Sequence, residues 1–97
     1  MIAALLTLLM FAAAPKHTAV LSWTWQQGGA APANGFHVWR AGFLKAPAAV
    51  ATIPVTERSW TDSNVQNGRA YIYFVTAYNQ AGESHASPER WVVIPNK

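Results

Sequence analysis

The sequence predicts an all-β domain of two antiparallel sheets packed face to face. Three observations carry that reading. From Thr18 onward apolar residues recur in short runs with a period of two, and no helical period is sustained for three turns. Glycine, proline and asparagine separate those runs at short intervals. The 97 residues are 52% apolar and include five tryptophans, which is enough for one core, while the chain is too short for a second.

The first element differs in kind from the rest. Residues 1–14, "MIAALLTLLMFAAA", form a nearly continuous apolar stretch interrupted by Thr7 and followed by Pro15. The stretch matches the hydrophobic centre of an export signal and falls short of the ~20 residues that a membrane-spanning helix needs. Ala12 and Ala14 supply a small-x-small ending. Two features depart from that pattern: no Lys or Arg precedes the run, and Pro15 would directly follow the cut. The expectation is a short apolar N-terminal leader over 1–14, a signal peptide that would be helical if retained, followed by one domain over 15–97. Contact with a membrane would come only through an uncleaved leader.

The strands follow in order. "TAVLSWTW" places Ala19, Leu21, Trp23 and Trp25 in one row, and "QQGGAAPANG" is a loop by composition. "FHVWR" has Phe36 and Val38 in phase, "AVATI" stops at Pro54, and "RSWTD" is the next short strand. A turn on Asn67 and Gly68, residues that readily adopt positive φ, launches the longest strand. "RWVVI" closes the set before Pro95. The strand after the turn is unusual because both of its faces are apolar. Tyr71, Tyr73, Val75 and Ala77 suit a core, yet the alternate row of Ile72, Phe74, Thr76 and Tyr78 is also large.

Charge and motifs exclude several function classes. The net charge of +3 comes from Lys16, Arg40, Lys45, Arg58, Arg69, Arg90 and Lys97 against Glu57, Asp62, Glu83 and Glu89, all scattered singly. No basic run interleaves with aromatics, so nucleic acid is not an expected partner. Cysteine is absent, which removes disulfides and thiolate chemistry. His17, His37 and His85 lie on separate segments that need not converge, and no metal site or cofactor is expected. There is no HExxH, phosphate loop or nucleophile elbow, and no obvious pair of facing carboxylates. The four acidic residues read as solvated surface groups, Asp62 as a turn-former after Trp60. Catalysis is not expected.

In order and spacing, "LSW", "GFHVWR", "SWTDSNVQNGRAYIYFVTAYNQAGES" and "SPERWVVIP" resemble a fibronectin type III domain, of the single-domain bacterial or phage-like kind, from about His17 to Pro95. The resemblance implies an immunoglobulin-like two-sheet β-sandwich. It implies a core of Leu21, Trp23, Phe36, Val38, Trp60, Val65, Tyr71, Tyr73 and Val75. Trp23 matches the family's tryptophan on strand B, Phe36 and Val38 match strand C, and Trp60 matches strand E. Val65 precedes Tyr71 by the spacing at which the family's strand F tyrosine bonds back to the E–F turn. Asn79, Ala81, Gly82 and Ser84 match the F–G turn. One departure is the A strand, for which only Pro15 to His17 remain if the leader is removed, leaving strand B an open edge.

The same resemblance puts strands C, F and G side by side, so Trp39, Ile72, Phe74 and Tyr78 would share one outer face with His37. Strand G would add Trp91 or Val93, or Val92 and Ile94 if a bulge reverses its phase. A contiguous apolar patch on a small domain marks an interaction surface. The expected function is a non-enzymatic exported module, secreted, periplasmic or at the cell surface, acting in adhesion, assembly or contact with a protein partner or a neighbouring copy. Two alternatives stay open. One is a carbohydrate-contacting module using exposed aromatics, with His37, Thr76 and Arg40 as polar neighbours of Trp39. The other is a structural subunit of a surface or viral assembly, joined through an open edge of strand B. The loops "QQGGAAPANG" and "NQAGESHA" form a second candidate site at one end, although their Gly and Ala content offers few anchors.

Overall fold

The computed structural model describes residues 4–13, 18–27 and 32–96. Among the described residues, eight strands form two sheets. One sheet has the order β1-β2-β5, from β1 (Ala4–Ala13), β2 (Thr18–Gln27) and β5 (Ser59–Asp62). The other has the order β4-β3-β6-β7, with β8 also on β6, from β3 (Gly35–Ala41), β4 (Ala48–Pro54), β6 (Ala70–Asn79), β7 (Gly82–Glu83) and β8 (Arg90–Val93). Every pairing is antiparallel.

Within the N-terminal apolar stretch, Ala4–Ala13 runs as strand β1 and pairs with β2 from Ala4↔Gln27 to Ala13↔Thr18. It therefore occupies the place of the missing A strand. With β5 on its other side over Ala19–Ser22, and the Trp23 amide donating to the Arg58 carbonyl at 2.9 Å, β2 is an interior strand along its first half.

The core lies between the sheets and is built by the inward rows. Ala19, Leu21 and Trp23 come from β2, Phe36 and Val38 from β3, and Tyr73, Val75 and Ala77 from β6, all buried. Val92 and Ile94 are buried while Trp91 and Val93 are exposed, so the last strand keeps simple alternation and no bulge reverses it. Trp23 meets Phe36 edge to face at 5.6 Å between centroids, and Trp25 approaches the same ring at 5.8 Å. Trp60, Val65 and Tyr71 are half-buried and pack against this cluster.

Two glycines are required by their surroundings. Gly68 has φ +74, as its turn demands, and a Cβ there would stand 2.9 Å from Asn96 Oδ1. Gly35 begins β3 under the ring of Tyr78, where a Cβ would come within 2.6 Å of the Ile53 carbonyl oxygen. The Gly68 amide donates to the Ile94 carbonyl at 2.9 Å, which ties the turn before β6 to the end of the chain.

Candidate functional site: the outer face of the β3–β6–β8 sheet

Register decides which side chains meet on the outer face. Trp39 on β3 opposes Phe74 on β6, Ile72 lies between Ala41 and Trp91, and Ala70 opposes Val93. His37 opposes Thr76, and Gly35 opposes Tyr78. Residues directly opposite share a face, so the structure brings Trp39, Ile72, Phe74 and Tyr78 together on one surface. All four are half-buried. Trp91 and Val93 extend the band and are 59% and 67% exposed.

The rings are ordered in two pairs. Trp39 and Phe74 are nearly parallel, 7° between planes and 5.7 Å between centroids. His37 and Tyr78 stack at 4.2 Å and 10°. A polar chain joins the pairs. Trp39 Nε1 donates to Thr76 Oγ1 at 3.0 Å, and that hydroxyl donates to Glu83 Oε1 at 2.6 Å. His37 Nδ1 lies 3.0 Å from the same oxygen, so with Glu83 ionised the imidazole carries its proton on Nδ1. Glu83 was not singled out in the sequence. Its place follows from the tight β6–β7 turn, which sets Glu83 opposite Tyr78.

A second polar cluster lies between the sheets. Asp62 is 1% exposed, which corrects its reading as a solvated group, while its bond from the Asn64 amide two residues on agrees with its reading as a turn-former. Arg40 Nη1 and the Tyr73 hydroxyl each donate to Asp62 Oδ2 at 2.7 Å, and the Asn64 amide donates to Oδ1 at 3.0 Å. Arg40 belongs to the inner row with Phe36 and Val38, so it is not a neighbour of Trp39 on the outer face as the sugar reading required. Burial, reinforced by the hydrogen bond and charge of Asp62, raises the Tyr73 hydroxyl well above the usual tyrosine pKa. Burial opposes the Arg40 charge, but the hydrogen bond and charge of Asp62 outweigh it and raise the guanidinium pKa.

Tyr71 takes the corner position. Its hydroxyl accepts the Gln66 backbone N–H at 2.9 Å, one residue beyond Val65 in the turn before β6. The two loops named as a second site meet at Asn79, whose side-chain nitrogen donates to the Pro32 carbonyl at 3.3 Å. Residues 28–31 of the first loop lie outside the described residues. Among the described residues no group of three His, Cys, Asp or Glu side chains is placed to hold a metal ion.

Two sheets, one ordered β1-β2-β5 and the other β4-β3-β6-β7 with β8 also on β6, and a tyrosine closing the turn into β6 define an immunoglobulin-like sandwich module. No protein-family model and no curated protein matches the sequence. Solved structures do. An Fn3-like protein from Clostridium thermocellum is 30% identical, with 97% of this chain and 94% of that one covered and a TM-score of 0.73. The chain belongs to the fibronectin type III family. The fn3 domain of human contactin 1 has the same fold at 14% identity, covering 98% of this chain and 79% of that one, with a TM-score of 0.73. So does the twitchin kinase region from C. elegans, at 18% identity and a TM-score of 0.73 over 84% of this chain. This chain spans only 14% of that twitchin chain, so the fold is a small part of a larger protein there.

Proposed function

We propose that this chain is a non-catalytic, exported fibronectin type III module that contacts a protein partner through the outer face of the β3–β6–β8 sheet. One observation carries the reading. The band from Trp39 and Phe74 through Ile72 to Trp91 and Val93 is continuous, apolar and uncovered among the described residues. A row that served only sheet stability would not need two large residues more than half exposed at its end.

The polar groups favour protein over sugar on this face. A saccharide platform needs unspent donors and acceptors beside a flat ring, but Trp39 Nε1, the Thr76 hydroxyl and His37 Nδ1 are spent on one another and on Glu83. Those bonds hold the rings in a fixed layout, which suits a partner that brings its own apolar side chains. Export is supported by the composition of residues 1–14. If that stretch is removed on export, the whole β1 side of β2 becomes an open edge, and strand addition becomes a second route to assembly.

The test separates binding from folding. Trp91→Ser with Val93→Thr changes only exposed side chains, and Trp39→Ser with Phe74→Thr reaches the stacked pair. The first variant should melt with the parent and lose capture of partner or self-association by sedimentation. The second should also melt a few degrees lower. Unchanged association in both would remove the outer face as the contact surface. Association that appears only in a chain starting at Lys16 would move it to the β2 edge.

A further inference from the structure

At the end of the sandwich where β3 turns into β4 and the chain enters β6, a cleft of about 550 Å³ opens between the two turns. Its volume falls within the ~300–1,000 Å³ of small-ligand clefts. Arg40 and Tyr71 line it, the guanidinium carbon 5.6 Å from the ring centroid, while Lys45 comes from one turn and Arg69 from the other. Phe43 stands at the rim, 70% exposed.

The charges do not cancel. Arg40 is matched by Asp62 at 2.7 Å, but neither Lys45 nor Arg69 forms an ion pair among the described residues. Three cations against one carboxylate leave the cleft at +2, two-thirds of the net charge of +3 carried by the whole chain. Elsewhere the scattered charges read as an ordinary solvated surface. Here two uncompensated cations on separate turns face one concavity, which concentrates their field on whatever enters. The β3–β4 turn is also held in an uncommon shape. Leu44 adopts φ +59, and the Lys45 amide donates back to the Gly42 carbonyl at 3.2 Å. A branched residue in that region is unfavourable, and such backbone outliers concentrate at binding loops.

We propose that this cleft binds an acidic saccharide, with Lys45 and Arg69 holding the carboxylate or sulfate groups and Phe43 lying against the apolar face of a sugar ring. The charge calls for an anion. The exposed ring at the rim calls for a flat apolar surface beside that anion, and a uronate or sulfated sugar carries both. The remaining wall suits hydroxyls, since Gln66 adds an amide and Ala46 and Ala48 leave room. This site lies on other residues than the outer sheet face and stands independently of it.

The experiment is calorimetric titration of the full chain with four probes of similar length: a linear uronate oligosaccharide, a sulfated oligosaccharide, a neutral oligosaccharide and oligoglutamate. Binding is expected for at least one acidic saccharide, with the first two probes deciding between carboxylate and sulfate, and none for the neutral one. Lys45→Ser and Arg69→Ser should each weaken it about tenfold, the scale of one charge-assisted hydrogen bond. Phe43→Ser should weaken it while leaving the melting temperature in place. Arg90→Glu alters the net charge as much as the Lys45→Ser/Arg69→Ser pair at a residue that does not line the cleft, and should weaken binding several-fold less than that pair. Failure of both acidic saccharides to bind overturns the proposal. Equal losses from Arg90→Glu and the double variant would reduce the effect to bulk charge, and equally tight oligoglutamate binding would replace the sugar with an acidic peptide.

Discussion

Asp62 and Glu83 are both carboxylates that tie strands together, but they do so in different surroundings. Asp62, on β5, takes hydrogen bonds from Arg40 on β3 and Tyr73 on β6, so it links one sheet to the other through the core. Glu83, on β7, takes hydrogen bonds from Thr76 on β6 and His37 on β3, all within one sheet. Asp62 is 2% exposed by side chain and Glu83 41%. Nearly the same connectivity has opposite consequences. Inside, the low dielectric makes each bond strong and each broken bond costly, whereas outside water replaces a lost partner. The buried cluster is therefore a stability device, and the surface cluster can orient rings without much effect on folding.

The most severe way to break the comparison is Asp62→Ala. It leaves the Arg40 guanidinium and the Tyr73 hydroxyl without their shared acceptor, and removing one member of a buried pair costs about 3–5 kcal/mol. A domain of this size has little more than that to lose, so the variant should be largely unfolded by circular dichroism. Adding Arg40→Met to that variant removes the stranded charge and should recover part of the loss. A melting curve for Asp62→Ala that overlays the parent would show that the inter-sheet tie carries no stability.

Tyr73→Phe tests the same cluster with a smaller change. It keeps the ring and deletes one bond to Asp62, for a loss of about 1–3 kcal/mol at neutral pH. It also carries a pH signature. The folded state holds the Tyr73 hydroxyl protonated above the ordinary tyrosine value, first by burial and then by its bond to Asp62. That contribution is complete below the unfolded pKa of about 10 and declines as pH rises beyond it, because the unfolded chain releases the proton more easily. The parent should lose about 1.4 kcal/mol per pH unit more steeply above that point than Tyr73→Phe does, measured by denaturant titration at several alkaline pH values. Parallel slopes would mean that the hydroxyl is not held in the folded state.

These two clusters also mark how far the sequence could be read. The period-two rows place Trp23, Phe36, Val38, Tyr73 and Val75 in the core, because alternation is a local property of each strand. Asp62 was not legible as buried, since its partners Arg40 and Tyr73 come from distant strands and "SWTD" looks the same with or without them. A signal for Arg40 did exist: it shares the phase of Phe36 and Val38, which sets it on the inner row. Glu83 depended on how tightly the β6–β7 turn closes. Residues 1–14 were ambiguous for a physical reason, because a nearly continuous apolar run suits an export signal and an apolar strand alike.

Tyr71→Phe lies between the two extremes. The hydroxyl accepts a single backbone N–H, that of Gln66, in an exposed turn. The expected loss is about 0.5–1.5 kcal/mol, smaller than for Tyr73→Phe because water can reach the freed amide. Chemical denaturation of both variants under one set of conditions gives the order directly. A larger loss at Tyr71 would place the stronger tie at the corner instead of at Asp62.

Glu83→Gln should have the smallest effect on stability and the most informative effect on function. An amide at this position can still accept from Thr76 or His37, and exposed charged pairs contribute at most about 1 kcal/mol, so the melting temperature should barely move. The rings should respond more. Trp39 Nε1 is oriented through Thr76, and His37 is held over Tyr78 by the same carboxylate oxygen, so loss of the charge loosens both stacked pairs at once. If the outer face binds through a preformed ring layout, Glu83→Gln should weaken partner capture several-fold with folding intact, because ordering the rings would then be added to the cost of binding. Nuclear magnetic resonance gives an independent check in the indole N–H signal of Trp39, which should shift and broaden in the variant. A sharp, unmoved indole signal together with unchanged capture would show that the surface carboxylate does not orient the rings, and Glu83 would differ from Asp62 in having no structural role at all.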